Sequence, residues 1–229
     1  MAHNLVLLSS GLDSAVNLLM ALEEGGVGAA VTVDYGQRAA RREVEKAAEM
    51  CRRYQVRHIV LEALWLGEIS DGALTTKEGL PPIMEPAELD GDALTQASMK
   101  EVWVPNRNGL LANIGACLAE AMELPWVVMG LNAEEGATFP DNSPGFVKEI
   151  NRLFAYSTLS GVRLRSFTMD WDKVDMMRAA IQRDLDFHLL WPCYNGETLM
   201  CGTCESCARF KRAALNLGVM DRLQELFNS

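Results

Sequence analysis

A rhythm of short apolar runs separated by longer amphipathic stretches constrains this chain more than any other feature. The run "NLVLL" (4–8) leads into helical spacing over 13–24, where Val16, Leu19, Met20 and Leu22 recur before "EEGG" stops it. "AAVTVD" (29–34), a charged amphipathic stretch over 41–54 and "RHIVLEA" (57–63) repeat the alternation. It resumes later with a helix over 110–122, a strand over 126–130, a helix over 144–157, a strand over 162–169 and a helix over 173–184. Strands alternating with helices of about ten to fifteen residues form βαβ units. The expected fold class is therefore α/β, a parallel sheet with helices on both faces.

Residues 64–100 interrupt the rhythm with Gly, Pro, Asp and Thr, including "EGLPPIMEPAELDGDALT". So long a stretch without periodicity reads as a lid or mobile insertion. No apolar stretch has the roughly 20 residues that a bilayer crossing needs, and "MAHNLVLLSS" lacks a basic leader and a cleavage site, so a cytoplasmic location is expected. The net charge of -10, with both signs interspersed, argues against a broad nucleic-acid surface. A small phosphorylated ligand held by a few backbone amides stays open.

The first strand-to-helix turn, "LLSSGLDSAV" (7–16), is the natural place for such a ligand. Ligands of doubly wound sheets bind beyond the carboxyl ends of the strands, where a helix N-terminus offers free N–H groups and a positive dipole end. Small residues let that backbone come close. The stretch has no Lys for G-x-x-x-x-G-K-[ST] and no G-x-G-x-x-G. The competing reading is that its Ser and Asp side chains merely cap the helix.

Four of six cysteines crowd together as Cys193-x7-Cys201-x2-Cys204-x2-Cys207. Four thiolates close a tetrahedral Zn²⁺ site, which makes such a metal structural. Iron and sulfur compete for the same spacing. Cys51 and Cys117, among apolar helix positions, read as buried core thiols. His58 and His188 read as structural.

"SSGLDS" resembles the S-G-G-x-D-S pyrophosphate loop of the PP-loop ATP pyrophosphatases. Ser9, Gly11, Asp13 and Ser14 match, while Ser10 stands where the first glycine belongs and so removes conformational freedom. Together with "VDYGQR" (33–38), "VPNRN" (104–108), "GLNAEEGATFPDNSPGF" (130–146) and "CYNGETLMCGTCESCARFKRA" (193–213), the loop makes the chain resemble the 7-cyano-7-deazaguanine synthases of queuosine biosynthesis, in order and over almost its whole length.

That resemblance implies an adenine nucleotide alpha hydrolase-like, PP-loop fold and a homodimer. It also implies conversion of 7-carboxy-7-deazaguanine, ATP and ammonia into the nitrile (preQ0) through an amide. It assigns the stretch Leu8, Ser9, Ser10, Gly11, Leu12, Asp13 and Ser14 to the nucleotide, with Mg²⁺ as charge neutraliser and Asp13 a candidate ligand for it. Arg107 and Asn108 fall to the phosphate or the substrate carboxylate, since a guanidinium grips such oxygens bidentately. Tyr35 and Gln37 would lie beside the nucleotide crevice, and Glu43 would support the loop. Trp65, Trp103 and Trp126 read first as packing residues, although a purine-like substrate benefits from an aromatic platform.

The resemblance is incomplete at G-x-x-x-x-D-x-x-G-Y-P-D-C-R. Gly130, Pro140 and Asp141 hold, but Glu135 replaces Asp, Phe139 replaces Tyr, and Asn142-Ser143 replaces Cys-Arg. One expectation is therefore a divergent ligase that stops at an amide or uses another amine. A tRNA-thiolating PP-loop enzyme and a non-catalytic nucleotide sensor are the further alternatives. The expected organisation is a nucleotide-binding domain over 1–190 with a zinc-binding segment, 191–229, packed on it.

Overall fold

Every residue of the first strand is buried, and that fixes the centre of the molecule. The computed structural model describes residues 2–75, 81, 83, 89 and 100–228. Its strands are β1 (Asn4–Leu7), β2 (Val27–Asp34), β3 (His58–Glu62), β4 (Trp126–Val128) and β5 (Arg163–Arg165). They form one sheet in the order β3-β2-β1-β4-β5, with every pairing parallel. The order reverses between β1 and β4, and this switch point is where a doubly wound sheet opens a crevice.

Side chains on successive strand positions face opposite ways. Leu5, Leu7, Val31, Val33 and Val127 accordingly enter one core, while Val6, Leu8, Ala30 and Val128 enter another. A sheet apolar on both faces must be covered on both. Helices α1 (Leu12–Glu23) and α2 (Ala40–Arg53) cover the second face. The one-turn α3 (Trp65–Glu68) and the long α4 (Arg107–Ala121) lie on the first. They are followed by the short α5 (Ala133–Gly136) and by α6 (Pro144–Ser157), which packs with α4. α7 (Lys173–Gln182) and α8 (Glu205–Asn216) join α1 and α2, bringing Met176, Met177 and Phe210 to that core. Trp191, Cys193, Met200, Cys204, Cys207 and Phe227 share it, so the C-terminal residues and α1 bury one another. α8 stops as its sequence suggests, with Gly218 at φ 66 just past the cap. Among the described residues no helix is long and apolar enough to cross a membrane.

Several local expectations are corrected. β5 ends at Arg165 rather than running to 169, because the Ser166 and Thr168 hydroxyls donate to the Leu131 carbonyl at 2.7 and 2.8 Å and replace the ladder. Cys51 is buried as expected, but Cys117 is exposed. The inward stripe of α4 runs through Ala112, Ala116 and Ala119, and Cys117 falls off it. Trp65 is 52% exposed, because Leu66 takes the buried position of α3. His188 lies at the surface, 3.1 Å from Glu225, whereas half-buried His58 meets the Thr32 hydroxyl through Nε2 at 2.8 Å. Most of the interruption expected to act as a lid (76–80, 82, 84–88 and 90–99) lies outside the described residues. The part before it is anchored, since Leu66 and Leu74 are buried.

Candidate functional site

Beyond the carboxyl ends of β1, β2 and β4 lies a cavity of about 250 Å³. Two long helices from opposite faces of the sheet begin beside it. α1 starts after Gly11 and α4 after Asn106, and neither has a side-chain hydrogen bond at its N-cap. The capping explanation of the serines therefore fails. Ser14 Oγ donates to the Gly11 carbonyl at 3.1 Å and accepts from the Ser9 amide at 3.2 Å, tightening the loop rather than capping the helix. The first-turn amides of α1 stay available for an anion, and the dipole favours one there.

Ser10 occupies the left-handed region, at φ 59, with its side chain fully buried. A serine thus holds here a conformation that only glycine adopts freely, at a steric cost. Its hydroxyl is 2.6 Å from the Ser9 carbonyl and 3.2 Å from that of Glu43, which ties the loop to α2. Leu8, Ser9, Gly11, Leu12, Asp13 and Ser14 line the cavity, whereas Ser10 braces the loop from below. Gly130 completes the junction. A Cβ there would stand 2.7 Å from the Ser14 amide nitrogen, so only glycine lets β4 run so close to α1.

Tyr35, Gln37, Arg107 and Asn108 also line the cavity. Gln37 accepts from the Tyr35 amide at 2.9 Å and donates to Glu43 Oε2 at 2.9 Å. Burial pushes the Glu43 carboxyl up to about 7, against the Gln37 hydrogen bond and the Arg107 charge. Arg107 donates to the Tyr35 hydroxyl at 3.3 Å. Burial disfavours its charge, but Tyr35 and Asp141 hold its proton more firmly than usual.

Lys173 is the residue sequence reasoning missed. Its ammonium lies 2.6 Å from Asp13 Oδ2 and 2.6 Å from Glu135 Oε1, and Asn132 donates to the same Asp13 oxygen at 2.9 Å. Burial drives the Asp13 carboxyl up to about 6, an effect Lys173 only partly offsets and Glu135 reinforces. Burial acts on Glu135 the same way, but Lys173 and Arg209 hold it at about 2. Two carboxylates thus share one cation, and Asp13 is the one left under-compensated. A signal was present in the sequence. Lys173 opens a helix, where the dipole repels a cation.

The four clustered cysteines place their Sγ atoms within 4.8 Å of one another, and none is in a disulfide. Sγ of Cys201 is 3.5 Å from that of Cys193 and 3.9 Å from that of Cys207. Zn–S bonds of about 2.3 Å set tetrahedral S···S edges near 3.8 Å, so the cluster fits zinc. Backbone amides of Asn195 and Cys201 donate to Cys193 Sγ, each at 3.3 Å. The cluster is joined to the cavity by buried charge. Arg209 pairs with Glu205, next to Cys204, at 2.8 Å, and also with Glu134, the neighbour of Glu135. Arg212 meets Glu134 at 2.6 Å.

Residues 3–218 match the family model described as Queuosine biosynthesis protein QueC. The chain is 46% identical to a 7-cyano-7-deazaguanine synthase of Desulforamulus reducens, over 95% of either chain. It is 45% identical to that of Pelotomaculum thermopropionicum over 95% of this chain and 98% of that one. For Methanosarcina barkeri the identity is 41%, over 96% and 97%. Among solved structures, the NMN synthetase from Francisella tularensis shares the fold, with TM-score 0.50 and 12% identity over 98% of this chain and 83% of that one.

Proposed function

The chain belongs to the QueC family of queuosine biosynthesis proteins, and from that premise we propose that it makes 7-cyano-7-deazaguanine from 7-carboxy-7-deazaguanine, ATP and ammonia. One observation supports this most directly. The uncapped start of α1, the Asp13–Lys173–Glu135 cluster and Arg107 all border the cavity at the switch point of the sheet.

In this reading the substrate carboxylate oxygen attacks the α-phosphorus of ATP, and the α–β phosphoanhydride bond breaks to release pyrophosphate. Ammonia then adds to the acyl carbon, AMP departs, and a proton is lost to give the amide. A second ATP then activates the amide: its oxygen attacks the α-phosphorus, pyrophosphate leaves and the nitrogen loses one proton, and departure of AMP with loss of the second proton leaves the nitrile. The amides of Leu12, Asp13 and Ser14 hold phosphate oxygens, where oriented N–H groups stabilise developing charge without reorganisation. Arg107 and Asn108 orient the carboxylate. Lys173 would face the phosphates, and its partners Asp13 and Glu135 would supply the hard oxygen donors that Mg²⁺ takes. When bound, Mg²⁺ neutralises phosphate charge. The four cysteines hold zinc in a segment, 191–229, that braces the nucleotide-binding part, 1–190. The working form is a cytoplasmic homodimer acting on small molecules.

Asn142 and Ser143, which replace Cys-Arg, have structural employment here. Asn142 is buried, and Ser143 caps α6 by accepting from the Phe146 amide at 3.2 Å. The test is incubation with Mg-ATP, 7-carboxy-7-deazaguanine and ammonium, with nucleotide and base followed by mass spectrometry. Nitrile with AMP is expected. Accumulation of amide would instead favour the divergent ligase, and ADP as product would overturn adenylation.

A further inference from the structure

Glu134 does not line the cavity, although Glu135 beside it does. Its two carboxylate oxygens serve different partners. Oε1 accepts from Arg209 Nη1 and from Arg212 Nη2, the latter at 2.6 Å, while Oε2 accepts from the Lys173 backbone amide at 3.2 Å. That amide is the first of α7, where the helix itself offers no carbonyl to receive it. The N-cap side chain, Asp172, is occupied with the Asp175 amide at 2.8 Å. An acid from α5 therefore fixes the backbone of the residue whose ammonium stands between Asp13 and Glu135.

The neighbours of Glu134 hold the same cluster, residue by residue. Asn132 accepts from the Glu135 amide at 2.9 Å, which caps α5, and donates to Asp13 Oδ2 at 2.9 Å. The Ala133 amide donates to the Trp171 carbonyl at 3.0 Å, just ahead of α7. Glu135 takes the Lys173 ammonium. Glu134 adds a tie to α8, where Arg209 is 6% exposed and pairs with Glu205 as well. An acid beside a helix start also offsets the repulsion between the dipole and the cation that opens α7.

We propose that Glu134 is a positioning residue for the activation of the acid: it sets the start of α7, and through it the place of the Lys173 ammonium at the cavity. This rests on the functional reading above, in which Lys173 faces the phosphates. Charge develops on the departing pyrophosphate, and a donor misplaced by about 1 Å loses effect by about a hundredfold. Both oxygens of Glu134 are needed. A carboxamide in the same place has one acceptor oxygen and serves the arginines or the amide, but not both.

The experiment compares wild type with Glu134→Gln, a near-isostere, and with Glu134→Asp, which keeps both oxygens on a shorter stem. Acid-dependent pyrophosphate release gives kcat and KM, reductive methylation with peptide mapping gives the accessibility of each lysine, and metal analysis gives zinc, all per folded molecule. Glu134→Gln should lower kcat by about tenfold to a hundredfold, with KM for 7-carboxy-7-deazaguanine within about threefold of wild type, and Glu134→Asp should fall between. Lys173, 8% exposed in the wild type, should be methylated several-fold faster in Glu134→Gln, while exposed Lys148 and Lys211 of α8 keep their rates. Unchanged methylation of Lys173 in that variant would overturn the proposal, as would an unchanged kcat where the wild type is active. Faster methylation at all three lysines, or loss of zinc, would also overturn it, since either marks a general loosening rather than a displaced ammonium. If the wild type releases no pyrophosphate with the acid, the functional reading falls, and the methylation pattern still decides whether Glu134 places Lys173.

Discussion

Lys173 and Asp13 stand 160 positions apart in the chain, yet the ammonium of one touches both carboxylate oxygens of the other, at 2.6 and 2.8 Å. Removing the cation leaves Asp13 and Glu135 facing one another in a buried site. Lys173→Met should cost about 3 to 5 kcal/mol of stability, as breaking buried pairs does. Without the ammonium both carboxyls move up, Asp13 from its present value of about 6, so the deficit should be smallest in acid and grow as pH rises to and beyond about 6. Urea denaturation from pH 4 to 8 reads this directly, and a pH-independent deficit would contradict it.

Asp13→Ala should abolish acid-dependent ATP turnover, by about a hundredfold or more, while leaving bound zinc unchanged. Pyrophosphate release measured beside metal content separates the two effects. Retained turnover would refute the placement of the phosphate site.

Glu43 gives a second pH signature. Its carboxyl is held near 7 in the fold against 4.5 unfolded, so the native state keeps a proton that the unfolded chain releases between those values. Stability should fall as pH rises through that window, by on the order of 3 kcal/mol, and Glu43→Gln should flatten the slope. Thermal melts at pH 5, 6, 7 and 8 on the two proteins are the check.

Ser10 tests the strained loop. Ser10→Gly relieves the positive φ but loses the hydroxyl contacts, so its stability should stay within about 1 kcal/mol of wild type. Ser10→Ala keeps the strain, loses the contacts and should be destabilised by about 1 to 2 kcal/mol. Equal melting of the two variants would show that the positive φ carries no strain, and Ser10→Ala melting with the wild type would show that the hydroxyl does nothing for the loop.

Metal analysis should return one zinc per chain, and Cys204→Ser should lose it together with several degrees of melting temperature, because structural zinc contributes folding energy. Iron with acid-labile sulfide would reassign the cluster.

The parallel sheet was legible because its evidence is local. Runs such as "NLVLL" and "AAVTVD" carry apolar residues on both strand faces, and the helices between them leave no room for hairpins. The turn before α1 that borders the cavity and the gathering of the four cysteines were legible for the same reason, since both are set by spacing along the chain. Lys173 was not, because its partners come from α1 and α5, although its place at a helix start was anomalous. Trp103 and Phe139, whose rings lie parallel with centroids 6.3 Å apart, are likewise brought together only by the fold. Cys117 misled because α4 is rich in small residues all round, so composition did not reveal which stripe faces inward.

Glu134 and Glu135 are consecutive, and they pull in different directions. One is gripped by the arginines of α8, the other by Lys173 at the cavity. The span between the helix that carries Cys207 and the Lys173 cluster is therefore a single peptide unit. The arrangement is a short lever with the cysteine cluster at its fulcrum: a shift of α8 has little slack to absorb it before it reaches the carboxylates, so in the proposed enzyme a loose cysteine site would register as misaligned Asp13 and Glu135.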